Sequence, residues 1–228
     1  MKMSDEDFKE SRQRMLAVIT AKSIYACMQL GKAALAPRVM QAIAEVPRHM
    51  FVPPQLRNLA YDDTPLPIGC GKTISQPFIV AVMTDLLDVQ PTDSVLEIGT
   101  GRGYQTAVLA ALAQRVFSVE RIEALGDLAR RRLAELGSCN IEFRIGDGHD
   151  GWPEHAPFDK VMVTAAAGQI PQSLIAQLKP GGRMVLPAGP PDVQQLVLLE
   201  KRADGSCSRR DIFAVCFSQL DGAESGLA

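Results

Sequence analysis

Residues 94–104, Ser-Val-Leu-Glu-Ile-Gly-Thr-Gly-Arg-Gly-Tyr, decide how the fold is read. Val95, Leu96 and Ile98 suit a central strand, and Gly99, Gly101 and Gly103 let the backbone turn tightly and approach a ligand. Tyr104 then opens a helix running to about Gln114. A nicotinamide-type fingerprint requires Gly-x-Gly-x-x-Gly, and counted from Gly99 its third glycine would fall on Tyr104. The pattern is instead Glu97-x-Gly99-x-Gly101-x-Gly103, which argues against a nicotinamide dehydrogenase. Any α/β protein with a tight strand-to-helix turn also needs glycine there, so the spacing alone does not name a ligand.

Working outward, strand and helix alternate: strand 94–98, helix 104–114, strand 115–119, helix 122–136, strand 141–145 and strand 158–163. A helix at 171–178 opened by Pro171 and a strand at 183–187 after Lys179-Pro-Gly-Gly continue the series. This alternation predicts a mostly parallel, doubly wound sheet. The runs Gln195–Lys201 and Arg210–Phe217, separated by Ala203-Asp204-Gly205-Ser206, predict a C-terminal antiparallel hairpin. Upstream, residues 6–30 read as one or two helices, and Pro37 opens a helix to about Val46. Pro47 to Lys72 is proline-rich and reads as an irregular loop, too long for a plain connector. A helix over Pro77–Leu87 follows. The expected division is an N-terminal helical extension with a substrate loop (1–75), a ligand-binding α/β domain (76–220) and a frayed tail (221–228).

The glycine pattern with its preceding acid resembles motif I of the S-adenosylmethionine-dependent methyltransferases. That resemblance implies a Rossmann-like fold with S-adenosyl-L-methionine as cofactor, bound by Glu97, Gly99, Gly101, Gly103, Glu120, Asp147 and Gly148. S-adenosylmethionine carries a sulfonium and an ammonium, and an acid near the turn suits that charge. Glu120, twenty-one residues after Gly99, ends the next strand, where an acid accepts hydrogen bonds from ribose hydroxyls. It also fits the start of the following helix. Asp147, between Gly146 and Gly148, ends the third strand near the expected adenine; an acid between glycines is otherwise an ordinary turn residue.

Composition narrows the classes. The 228 residues carry a formal charge of −2, which argues against a non-specific polyanion binder and so against nucleic acid. Arg130-Arg131-Arg132 lies mainly opposite the apolar face Leu125, Leu128, Ala129, Leu133 and Leu136, and reads as a solvated helix face. Five cysteines with no Cys-x-x-Cys pair suggest neither a disulfide framework nor a metal cage. No signal-peptide pattern opens the chain and no apolar run reaches spanning length, so a cytoplasmic protein with no membrane partner is expected. The sequence sets no oligomeric state.

A second block decides the substrate. Val46-Pro-Arg-His-Met-Phe-Val52, Thr73-Ile-Ser75-Gln-Pro77, Gly146-Asp-Gly148 with Gly151-Trp152, Pro157-Phe-Asp159, Val163-Thr-Ala-Ala166 and Gln177-Leu-Lys-Pro-Gly-Gly182 stand in order. With the glycine motif they resemble the protein-L-isoaspartate O-methyltransferases over roughly residues 38–200. The resemblance implies a repair enzyme acting on isoaspartyl-containing proteins and peptides, in which aspartyl and asparaginyl residues have rearranged through a succinimide. Methylating the free α-carboxylate lets the ester close back to succinimide, which partly reopens to normal aspartate.

A carboxylate of pKa about 4 is already ionised at pH 7, so no general base is required. None of His49, His149 and His155 sits in a recognisable base–nucleophile pattern. Ser75 is the candidate for orienting the carboxylate, although the same serine could cap the helix beginning near Pro77. Pro67, Ile68, Gly69, Thr73, Ile74 and Ser75 are expected to bind substrate, with the loop pairing to an extended peptide through its backbone. Cys70 and Lys72 stand where many family members have His and Gln, Arg102 where Ser is frequent, and Cys216–Leu220 departs from the usual Val-x-Phe-Val-Pro ending. Arg102 is expected to point to solvent. The alternatives are a methyltransferase with another substrate and a silent family member that binds peptides without turnover.

Overall fold

The computed structural model describes residues 3–220; the tail expected over 221–228 lies outside them. Nine strands are described: β1 (Leu66–Gly69), β2 (Lys72–Ile74), β3 (Ser94–Ile98), β4 (Arg115–Glu120), β5 (Ile141–Ile145), β6 (Phe158–Val163), β7 (Leu178–Ala188), β8 (Gln194–Lys201) and β9 (Cys207–Val215). The helices are α1 (Asp5–Tyr25), α2 (Cys27–Leu30), α3 (Pro37–Glu45), α4 (Pro77–Leu87), α5 (Tyr104–Ala110), α6 (Glu123–Glu135) and α7 (Gln172–Ala176). Seven strands make one sheet in the order β5-β4-β3-β6-β7-β8-β9. Pairs among β3 to β7 are parallel, and β8 and β9 add the antiparallel hairpin. The expected architecture is therefore present.

The central strands are apolar along their length because both sheet faces are covered. Val95, Val116, Met162 and Val185 pack with α4, α5, α6 and the N-terminal helices. Leu96, Phe117, Val161 and Met184, each one residue away along its strand, pack on the other face with Leu174 of α7. Helix α1 contributes a narrow stripe, Met15, Ile19 and Ser23, and opens with a capping box in which Ser4 and Asp7 satisfy each other's backbone N–H groups. No helix among the described residues is long and apolar enough to cross a membrane.

Three segments differ from expectation. Helix α5 stops at Ala110 rather than Gln114, because Leu112 and Ala113 both bond back to the Leu109 carbonyl and swing the chain into β4. Strand β7 begins at Leu178, so Lys179-Pro-Gly-Gly lies inside it as an irregularity between the Phe158↔Leu178 and Lys160↔Arg183 pairs. The supposed irregular loop holds two short 3-10 turns, Arg48–Met50 and Pro54–Leu59, and the antiparallel ribbon of β1 and β2. That ribbon turns through Cys70 and Gly71, at φ +53° and +68°, the double positive φ of a tight two-residue hairpin.

Candidate active site

The strand order reverses between β3 and β6, and an open α/β sheet binds ligands outside the carboxyl ends of such a pair. Here Thr164, just after β6, closes onto the turn after β3: its N–H donates to the Ile98 carbonyl at 2.9 Å and its Oγ1 to the Gly99 carbonyl at 2.7 Å. A Cβ on Gly99 would lie 2.3 Å from Thr164 Oγ1, and its φ is +96°, so only glycine fits. The Gly101 N–H donates to Glu120 Oε2 at 2.7 Å, and the Ile122 N–H donates to Glu120 Oε1 at 2.9 Å. Two amides thus fix the Glu120 carboxylate in the cleft wall, and about half of its four acceptor sites remain for hydroxyls.

Gly99, Gly101, Glu120, Gly148, Ile68, Thr73 and Ser75 come together around this cleft, with Lys72. Ile74 lines an adjoining small cavity shared with Ile68, Thr73, Ser75, Gly99 and Gly101. Pro67 and Gly69 are exposed on the outer part of the ribbon. Gly103 is occupied with packing: a Cβ there would lie 2.9 Å from Leu133 Cδ1 of α6. Asp147 is turned to its neighbours. Its Oδ1 accepts from the His149 N–H at 2.9 Å and its Oδ2 pairs with Arg121 at 3.2 Å. Burial opposes ionisation of Asp147, but the His149 hydrogen bonds and the charges of His149 and Arg121 hold its carboxyl below the usual range.

Glu97 departs most from the expected placement. It is wholly buried beneath the turn, and the hydroxyls of Thr106 and Ser118 each donate to its Oε2 at 2.6 Å. Its Oε1 has no partner. Burial lifts its pKa to about 7, against the pull of those two hydroxyls. It braces β3, β4 and α5 together rather than lining the cleft.

The helix-capping role open to Ser75 is taken by a residue upstream of it in the chain, Asp63. Asp63 Oδ1 accepts the Phe78 N–H at 2.8 Å, while Asp63 Oδ2 accepts from Gln76 Nε2 at 2.9 Å and pairs with Lys22 at 2.6 Å. No side chain of the residue before α4 caps it, and Ser75 lines the cleft. The Ser75 carbonyl is fixed by Arg48, a residue the sequence reading assigned no role. The Arg48 guanidinium is fully buried over the Tyr104 ring and donates through Nε to the Ala60 carbonyl at 2.7 Å and through Nη2 to the Ser75 carbonyl at 2.8 Å. Its sequence signals were a lone cation among mostly apolar neighbours and a place in the Val46–Val52 block that resembles the family.

A groove of about 440 Å³ runs from Pro65 and Ile79 to Ala214–Phe217 and meets the cleft at Thr73, Ser75 and Phe217. The C-terminal segment whose sequence departs from the family ending still builds this wall. Phe217–Leu220 lines the cleft, and bonds of 2.8 Å from the Ala166 N–H to Ser218 and from the Leu220 N–H to Ala166 hold it there.

The model of the family described as Protein-L-isoaspartate(D-aspartate) O-methyltransferase (PCMT) matches residues 23–225. The chain belongs to this family. It is 61% identical to protein-L-isoaspartate O-methyltransferase 1 of Polaromonas sp. (strain JS666 / ATCC BAA-500), over 98% of this chain and 95% of the relative. It is 52% identical to protein-L-isoaspartate O-methyltransferase 2 of Syntrophobacter fumaroxidans, over 96% and 89%. A solved protein-L-isoaspartate O-methyltransferase superposes with a TM-score of 0.78 at 26% identity, covering 92% of this chain and 66% of that one. A Plasmodium falciparum chain solved with S-adenosyl-L-homocysteine shares the fold, with a TM-score of 0.77 at 21% identity over 92% and 98%.

Within this family frame the histidines stand apart from the cleft. His49 stacks on Phe8 at 3.9 Å and meets the Tyr61 hydroxyl at 2.8 Å; burial and the charges of Arg12 and Arg57 push its pKa down to about 4. His155 stacks on Phe117 at 4.4 Å, and Asp147 engages His149. The cleft thus offers hydroxyls, backbone amides, one fixed carboxylate and the cations Lys72 and Arg121, with no histidine in its lining, a set suited to positioning rather than to proton transfer.

Proposed function

We infer that this chain transfers a methyl group from S-adenosylmethionine to the free α-carboxylate of L-isoaspartyl residues in damaged proteins and peptides. The observation that carries the reading is the junction at Ser75, where a peptide-sized groove opens into the cleft under the glycine turn. The cleft fits the cofactor: Glu120 has acceptor capacity for ribose hydroxyls, and Gly99, Gly101 and Gly148 keep the floor free of side chains. S-adenosylmethionine bound there would supply an electrophilic methyl group to a carboxylate oxygen, with the sulfonium sulfur as leaving group.

The protein's own residues then orient and exclude water. The Ser75 hydroxyl donates to the substrate carboxylate, and Arg48 fixes the Ser75 backbone so that the donor does not drift. An outer edge of the two-stranded ribbon, at Thr73 where the groove meets the cleft, pairs with an extended peptide through main-chain hydrogen bonds, which tolerates varied flanking sequence. Isoaspartyl and aspartyl chains differ by where one methylene sits, and apolar fit to a methylene is worth only about 1–3 kcal/mol. Discrimination therefore rests on where the carboxylate falls relative to the peptide backbone pairing with the ribbon. Mass spectrometry of an isoaspartyl peptide incubated with enzyme and S-adenosylmethionine tests this. Methyl ester followed by spontaneous conversion to succinimide is expected; a stable methylated product, or methylation of a side-chain amine, would overturn it.

A further inference from the structure

Three half-buried arginines from three separate elements lie close enough to feel one another's charge, with Arg102 against the β1–β2 ribbon: Arg57 in the 3-10 turn, Arg102 in the glycine turn and Arg132 in α6. Arg57 Nε, Arg102 Nε, and both Nε and Nη1 of Arg132 are buried without a hydrogen-bond partner. Buried N–H donors are nearly always paired in folded proteins, so four orphans in one group point to a missing acceptor. The charges are also mutually unfavourable. Burial and then the charges of Arg132 and Arg57 lower the Arg102 pKa; burial and Arg57 lower that of Arg132, with Glu135 the opposing acid. Arg102 Nη1 reaches the Ile68 carbonyl at 3.4 Å, which sets the group against the ribbon edge. Neither sequence expectation holds here. Arg102 folds onto the hairpin instead of pointing to solvent, and while Arg130 pairs with Asp127 on the exposed face, Arg132 turns inward.

We propose that Arg57, Arg102 and Arg132 form an oxyanion-binding site at the Ile68 edge of the hairpin. The site takes a carboxylate or phosphate group, supplied by an acidic side chain of the substrate polypeptide or by free phosphate. Planar guanidinium forks from three elements suit either oxyanion, and an anion among them would satisfy orphaned donors and relieve the repulsion together. The polypeptide source rests on the substrate-binding reading of the hairpin; the anion site does not.

Two measurements separate these. Inorganic phosphate, titrated calorimetrically at constant ionic strength, binds saturably to the wild-type chain. Arg57→Gln and Arg132→Gln each weaken it about tenfold, the scale of one charge-assisted hydrogen bond, and Arg57→Lys recovers part. In parallel, methyl transfer is compared between isoaspartyl peptides carrying Glu or Gln at flanking positions. A KM about tenfold lower for the Glu peptides in wild type, equalised in Arg57→Gln with kcat and the neutral-peptide KM unchanged, assigns the site to substrate. Equal KM values with phosphate binding intact assign it to the free anion. If neither peptide is methylated while phosphate binds and the variants lose it, the site stands and the repair reading fails. Absence of saturable phosphate binding together with no Glu–Gln difference overturns the proposal. So does a loss of S-adenosylmethionine affinity in Arg57→Gln or Arg132→Gln, which would make the cluster part of the cofactor site.

Discussion

Replacing Glu97 by Gln separates the two roles that an acid before the glycine turn could have. In the fold its carboxyl is wholly buried and its pKa is raised from 4.5 to about 7. At about 1.36 kcal/mol per tenfold change in proton affinity, that rise corresponds to about 3 kcal/mol. The sign follows from proton counts. Between about pH 4.5 and pH 7 the folded chain holds the Glu97 proton while the unfolded chain has released it, so stability falls as pH rises. The contribution is fully present below about 4.5 and lost as pH passes through about 7. Gln cannot titrate, and it keeps an oxygen for the Thr106 and Ser118 hydroxyls. Urea unfolding of both proteins from pH 4.5 to 8 should therefore show wild type losing about 3 kcal/mol relative to Glu97→Gln, mostly between pH 5 and 7. Parallel profiles, or a wild type gaining ground as pH rises, would refute the buried placement. Because Glu97 lies below the cleft, S-adenosylmethionine affinity at pH 8 should change by less than about threefold; a carboxylate touching the cofactor's charge would cost about tenfold or more.

Four further outcomes follow from the geometry. The His49 ring should titrate near pH 4 by NMR; its contribution has the opposite sign, complete above about pH 6.5 and lost as pH falls through about 4. Gly99→Ala should cost about 2–4 kcal/mol in urea unfolding, from the Thr164 clash and the positive φ, and Thr164→Ala in the same chain should restore only the clash component. Ser75→Ala should lower kcat roughly 10- to 100-fold, with the melting temperature and calorimetric S-adenosylmethionine affinity unchanged, because only an orienting donor is lost. Lys72→Gln should raise the peptide KM and flatten its salt dependence with kcat within about twofold. Methyl transfer neutralises the carboxylate, so a nearby cation favours the ground state more than the transition state.

The parallel sheet was legible because its strands are buried on both faces and read as short apolar runs separated by helical spacing. Glu120 was legible from its distance to Gly99, which is the length of one helix and strand. Glu97 was misplaced although strand parity held the answer: it shares a face with Val95, toward α5 and Thr106, while the cleft lies past the strand's end. Other features depend on partners remote in sequence. Asp63 caps α4 from 15 residues away, and Arg48 reaches 27 residues to the Ser75 carbonyl. The ribbon escaped notice because its strands are four and three residues long, contain a proline and turn through a cysteine at positive φ. Arg102 and Arg132 looked like surface charge because local spacing cannot report that Arg57 comes to meet them.

The most direct measurement is kcat/KM for methyl transfer to two peptides identical except for an isoaspartyl or aspartyl linkage at one residue, each compared with an alanine control. Base-labile methylation of the isoaspartyl peptide, with the aspartyl peptide and control at background, is the predicted result. Equal methylation of both linkages, or none with S-adenosylmethionine bound, would contradict it.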